Sequence, residues 1–160
     1  MTDLWLVRHG EAVPERADPT RPLSEEGIRS IAAVASALAG RMGRIGLVAS
    51  SEKRRARQTA EILAAAAGYP AEAIVETKAL SPDAPPEAFL SFLAEHRDKE
   101  NVLCVGHLPS IAAFASCLLP PSESRNWAFP PGGVCSIRLS GIRRGGGELL
   151  LFQQDKSGKG

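Results

Sequence analysis

The chain has almost no excess of charge of either sign: nineteen Lys and Arg face 18 Asp and Glu, for a net +1 at pH 7. A field broad enough to hold nucleic acid is therefore lacking, and any anion site has to be local. Long apolar runs are missing as well. None approaches the ~20 residues of a membrane helix, and the start Met-Thr-Asp-Leu-Trp carries no basic stretch leading into a long apolar one. These absences predict a soluble, cytoplasmic protein with no membrane contact. Cysteine is sparse: Cys104, Cys117 and Cys135 are odd in number, sit among apolar neighbours and form no Cys-x-x-Cys pair. Reduced, buried thiols are expected rather than a disulfide framework. His-x-x-x-His is also absent, so neither a metal site nor a cofactor is expected.

What is present is an alternation of strand and helix patterns. Leu4-Trp5-Leu6-Val7 reads as a short buried strand, and Asp18 to Leu23 as a loop. Ser24 is placed to cap a helix, with Glu25 and Glu26 favouring its N-terminus. Ile28, Ile31, Ala32, Ala35 and Leu38 then recur at helical spacing up to Gly40. Strands are predicted at Ile45–Ala49, Ala73–Glu76 and Asn101–Val105. Helices are predicted from Glu52 to Ala67, from the Pro85-Pro86 pair to His96, and from Pro109 to about Leu119. Gly133–Leu139 and Glu148–Phe152 read as a closing antiparallel hairpin turned by Gly145-Gly146-Gly147. Right-handed crossovers then give a three-layer α/β/α sandwich, with a mostly parallel sheet and an antiparallel edge. One domain is expected over 1–155, with a frayed tail at 156–160. Trp5 is expected in the core. Trp127 and Phe129, between two proline pairs, are expected to cover it rather than to dock a partner.

Three strands end in residues suited to phosphate. Arg8-His9-Gly10 follows the first, Ser50-Ser51 leads to Arg55 after the second, and Gly106-His107 follows the later one. In a parallel sheet such ends share one edge, where open α/β folds bind ligands. A strand-end histidine alone is ordinarily a surface or packing residue, so the case rests on the three together. Lys53, Arg54, Arg55 and Arg57 crowd the start of a helix whose N-terminus is already positive, a mild mutual repulsion that a bound anion would relieve. For Lys53, Arg54 and Arg57 the simpler reading is that they reach into water. No Gly-x-x-x-x-Gly-Lys loop is present, which speaks against a nucleotide cradle. The sixth residues after the cysteines are Ser110, Glu123 and Gly141 rather than arginine, which disfavours a cysteine-based phosphatase.

Arg8-His9-Gly10-Glu11-Ala12, Arg21-Pro22-Leu23-Ser24, Ser51 with Arg55-Ala56-Arg57-Gln58-Thr59, and Gly106-His107-Leu108-Pro109 occur in the order of the histidine phosphatase superfamily, the phosphoglycerate-mutase-like fold. Over residues 4 to about 109 the chain resembles its small SixA branch, the protein phosphohistidine phosphatases. The resemblance implies that His9, neutral and held in one tautomer through a backbone carbonyl, attacks phosphorus to form a phosphohistidine intermediate. It implies that Arg8 and Arg55 clamp phosphoryl oxygens, and that a protonated His107 donates to them. Arg21 and Ser51 are implied as further substrate contacts, and no metal is required. The implied partner is a phosphorylated protein of the histidine phosphotransfer or phosphocarrier type.

One part of the pattern is weak. Larger members place an acid after the third strand to protonate the leaving oxygen, where this chain reads Leu80-Ser81-Pro82-Asp83. Asp83, Glu11 and Asp18 are the rival candidates. An alkoxide needs that proton to leave, whereas an imidazole, with a pKa of about 6.5, takes one near neutral pH. Weak acid machinery thus leans toward a P–N substrate. A small-molecule phosphomonoesterase and a non-catalytic phosphate-recognising module are the alternatives. Little sequence is left for a lid around a small ligand, and the intact His9 speaks against lost catalysis.

Overall fold

Leu4, Leu6 and Val7 are fully buried and Trp5 nearly so, which makes β1 (Thr2–Arg8) a central strand. The computed structural model describes residues 1–153, and the tail expected at 156–160 lies outside them. After β1 come α1 (Glu25–Leu38), β2 (Leu47–Ser50), α2 (Arg54–Ala67), β3 (Val75–Glu76), α3 (Pro86–Glu95), β4 (Asn101–Gly106), α4 (Ser110–Leu118), β5 (Val134–Leu139) and β6 (Gly147–Gln153). The sheet order is β3-β2-β4-β1-β5-β6. β1, β2, β3 and β4 pair in parallel, while β5 lies antiparallel to β1 and β6 antiparallel to β5. Side-chain alternation sends Trp5 and Val7 to the face covered by α1 and α2. Leu4 and Leu6 go to the face covered by α3 and α4. This is the α/β/α sandwich with an antiparallel edge expected from the sequence.

Trp127 and Phe129 are buried and pack edge-on against Phe152, so they close the core under β6. Ser24 caps α1 by accepting from the Gly27 N–H at 3.0 Å. The buried stripe of that helix differs from the expected one: Ile28 and Ala32 face solvent, and Gly27, Ile31, Val34, Ala35 and Leu38 face the core. The cause is a close backbone approach at Gly27, where a Cβ would stand 2.1 Å from the Glu11 carbonyl oxygen. With glycine there the helix rolls that side inward. Gly40 does not cap this helix; Ala39 does, in right-handed conformation. β3 shrinks to two residues because Ala71–Ala73 form a 3-10 turn. α2 begins at Arg54, with Lys53 as an N-cap that provides no side-chain bond. Cys104 and Cys135 are buried free thiols. Cys117 is only half-buried and accepts from Arg144 at 3.2 Å. Among the described residues no helix is long and apolar enough to cross a membrane.

Candidate active site

The carboxyl ends of β1, β2 and β4 are adjacent in the sheet, so the residues that follow them meet at one edge. His9 follows β1, and its backbone N–H donates to Gly106 O at the end of β4, at 3.0 Å. His107 comes next on β4, and the two imidazole centroids are 4.9 Å apart. His9 Nδ1 lies 2.7 Å from Gly10 O. Since a carbonyl can only accept, Nδ1 carries the proton and Nε2 keeps a free lone pair. Gly10 is itself pinned: its N–H donates to Thr59 Oγ1 at 3.1 Å, and the Thr59 hydroxyl donates to Arg55 O at 2.8 Å. Thr59 lies one helical turn beyond Arg55 on α2, so a single face of that helix presents the cation and fixes the loop bearing the nucleophile candidate.

Arg8 donates through Nη1 to Phe129 O at 2.9 Å. Phe129, beyond the segment over which the chain resembles the family, therefore holds a site arginine in place. Arg21 adopts φ 45°, a left-handed conformation of a non-glycine residue. Such strain costs about 1–3 kcal/mol and is commonly kept where function needs the geometry. Its Nε donates to Val13 O at 3.0 Å, and its charge is close enough to act on both His9 and Arg55. Nothing in an arginine's identity signals a left-handed residue, and no sequence pattern marked this one.

The pocket is cationic and short of acceptors. Among the described residues, Arg8 Nε, Arg55 Nε and His107 Nδ1 are buried and find no hydrogen-bond partner. Burial lowers the Arg8 and Arg55 guanidinium pKa values, with Arg21 adding to the effect at Arg55. Burial also pulls His9 down to about 4; its bond to Gly10 opposes this, and Arg55, Arg8 and Arg21 reinforce it. His107 falls to about 3, chiefly through burial and then through His9, Arg55, Lys53 and Arg8. Without an anion both rings are neutral at pH 7. The sequence reading expected a protonated His107; burial first, and then the surrounding positive groups, explain the difference. Buried donors and mutually repelling cations around one space form a site for a tetrahedral anion.

Ser51, expected to touch substrate, is fully buried, with its Oγ 2.6 Å from His107 Nε2. Glu11 is exposed and accepts from Ser24 at 2.8 Å. Asp18 accepts from the Thr20 N–H and hydroxyl, with Arg54 at 3.8 Å. Asp83 is exposed in an open groove of about 560 Å³ lined also by Glu52, Lys53, Lys78, Ser81 and Pro82. Every charge that acts on His9 or His107 is positive or imidazole. Arg57 pairs with Glu61 and Glu76, Arg54 donates to Thr20, and Lys53 is exposed. Among the described residues no cluster of three or more His, Cys, Asp or Glu could hold a metal ion.

A family model of the histidine phosphatase superfamily, branch 1, matches residues 4–80. An uncharacterized protein of Picosynechococcus sp. is 30% identical over 151 residues, covering 88% of this chain and 87% of its own. Among solved structures, a protein assigned as phosphohistidine phosphatase SixA from Nakamurella multipartitia superposes with a TM-score of 0.79 at 28% identity, covering 95% of each chain. The protein histidine phosphatase SixA complexed with tungstate superposes with a TM-score of 0.84 at 23% identity, covering 96% of this chain and 97% of that one, a likeness of fold.

Proposed function

Because the chain belongs to the histidine phosphatase superfamily, we propose that it is a phosphatase in which His9 takes the phosphoryl group from a phosphohistidine carried by a partner protein. The observation that carries this reading is the pairing of a neutral His9, its Nε2 freed by the Gly10 contact, with three buried donor nitrogens that have no partner among the described residues.

His9 Nε2 attacks phosphorus, and the P–N bond of the substrate breaks. Its electron pair stays on the departing imidazole, which gains a proton from solvent near neutral pH. Water then attacks phosphorus on His9, the second P–N bond breaks with its electron pair returning to Nε2, and inorganic phosphate leaves as H2PO4⁻ with both of the water's protons, one of which passes to solvent. Arg8, Arg55 and Arg21 neutralise the equatorial oxygens throughout, and His107 donates to one of them. Positioning and charge compensation suffice for such a transfer, so no step is assigned to a metal.

The P–N substrate is favoured over an ester because no carboxylate is among the groups that act on His9 or His107, and Glu11 and Asp18 are hydrogen-bonded to Ser24 and Thr20. An alkoxide would leave unprotonated, whereas an imidazole would not. The open groove beside Lys53 suits a protein surface better than a small ester, which is ordinarily enclosed. The likeness to the Nakamurella SixA supports the same class. The deciding experiment compares hydrolysis of a phosphohistidine protein, a phosphoserine peptide and sugar phosphates by the pure chain in EDTA. Preference for the first is expected. Faster turnover of a sugar phosphate would overturn the substrate class, and dependence on a divalent ion would overturn the metal-free scheme.

A further inference from the structure

We propose that Ser51 is a positioning residue that fixes His107 in the tautomer with its proton on Nδ1, so that an uncharged imidazole donates into the anion pocket. Its part in turnover rests on the phosphatase reading above; the tautomer stands on geometry alone.

A serine hydroxyl has one proton to give and two lone pairs to fill. The Lys53 N–H donates to Ser51 Oγ at 3.2 Å and occupies one lone pair. The other close polar atom is His107 Nε2 at 2.6 Å. Ser51 is inaccessible to solvent, and among the described residues its hydroxyl finds no other acceptor. Its backbone is held by N–H donation to Val105 O at 3.2 Å and by the Ser50 hydroxyl on its carbonyl at 2.9 Å. The backbone that carries the hydroxyl is thereby fixed beside the His107 ring.

If Nε2 carried the proton, it would donate to Oγ and strand the serine proton in a buried site, an unmade bond that costs about 1–3 kcal/mol. Nδ1 would then present a lone pair to the anion. With Ser51 donating to Nε2, the neutral ring must carry its proton on Nδ1, the buried nitrogen that has no partner among the described residues. The charges that act on the ring come from Lys53 and Arg55 on the α2 side and from Arg8 and His9 at the end of β1. From the α4 side Ser110 turns its hydroxyl to the His107 and Ser81 carbonyls and adds no charge. A donor that needs no protonation answers the difficulty of keeping a cation among cations.

The direct test is 15N–1H correlation of the imidazole nitrogens in the labelled full chain at pH 7 without anion. His9, His96 and His107 are the three histidines, and His96→Gln and His9→Ala assign them. A protonated Nδ1 with an unprotonated Nε2 is expected at His107. A proton on Nε2, alone or with Nδ1, overturns the proposal. Ser51→Ala should shift the tautomer toward Nε2 and lower kcat on phosphohistidine protein by about 10²-fold, the order for losing one donor to a developing oxyanion, with KM changing less. A Ser51→Ala protein with unchanged tautomer and kcat also overturns it. A wild-type protein with the Nδ1 proton but without turnover would strike the phosphatase reading and leave the tautomer standing.

Discussion

The same strands end in opposite ways. At the amino ends of β1 and β4, Trp5 Nε1 donates to Asn101 Oδ1 at 2.9 Å, and Asn101 Nδ2 donates to the carbonyls of Met42 and Arg44. There too the Thr2 hydroxyl donates to Lys99 O at 3.1 Å, and Arg138 grips Asp3 at 2.9 and 3.2 Å. At the carboxyl ends three buried nitrogens have no acceptor among the described residues, the charges around the two imidazoles are cationic, and Arg21 is strained. Polar groups that pair internally stabilise the fold and have nothing left for a ligand. Groups left unpaired weaken the fold and bind whatever completes them. One end of the sheet holds the protein together and the other waits for an anion.

The comparison breaks most sharply at His9. His9→Ala should lose turnover by at least about 10⁴-fold, the scale seen when a covalent nucleophile is removed. It should also lose the acid-labile, alkali-stable phosphoenzyme label while still binding phosphate. Steady-state rates and quenched labelling with radioactive substrate check this, and an active variant or a label on serine would refute the nucleophile. Arg55→Ala comes next. Its effect on kcat/KM should correspond to about 2–4 kcal/mol of lost transition-state stabilisation if it serves as an oxyanion donor. Its melting temperature in anion-free buffer should hold or rise, because a buried unpaired N–H and a cation repelled by Arg21 are removed.

Asn101→Ala should show the converse. It leaves the Trp5 N–H and the Met42 carbonyl unpaired, each worth about 1–3 kcal/mol when buried, so urea unfolding should reveal a loss of about 2–3 kcal/mol. kcat/KM should be unchanged at temperatures where the variant is folded. A variant that lost activity without losing stability would erase the division between the two ends.

The sequence made the site's membership legible and its internal wiring much less so. Strand-end placement of Arg8, His9, Ser51 and His107 follows from hydrophobic runs that stop where the polar residues start, and parallel pairing then puts them on one edge. The role of Ser51 could not be read, because whether a serine faces a ligand or a neighbouring ring depends on one rotamer. Phe129 could be read as a core aromatic but not as the residue that holds Arg8, because it does so through its carbonyl, which every residue has. The roll of α1 was missed at Ile28 since periodicity counts apolar side chains, whereas packing there is decided by the side chain that Gly27 lacks. Arg21 gave no warning of its backbone conformation.

The smallest effect is an acid sensitivity located at the site end. His9 and His107 are lowered to about 4 and about 3, against about 6.5 for an unperturbed histidine. Each therefore binds a proton more weakly in the folded chain than in the unfolded one. Below pH 6.5 the unfolded state takes up protons that the folded state refuses, so stability falls with pH until the folded values are reached near pH 4 and 3. Between pH 7 and about 5.5 the loss should be about 1 kcal/mol per histidine. His9→Ala should remove its share of that slope, and Asn101→Ala should leave the slope intact while lowering the whole curve. Inorganic phosphate should flatten it, because a bound anion raises the proton affinity of the neighbouring ring and stabilises the folded state by mass action. Urea midpoints followed across this range, with and without phosphate, would measure all three. A slope that survives in a His9→Ala/His107→Ala double variant would place the acid sensitivity elsewhere and dissolve the link between unpaired site groups and stability.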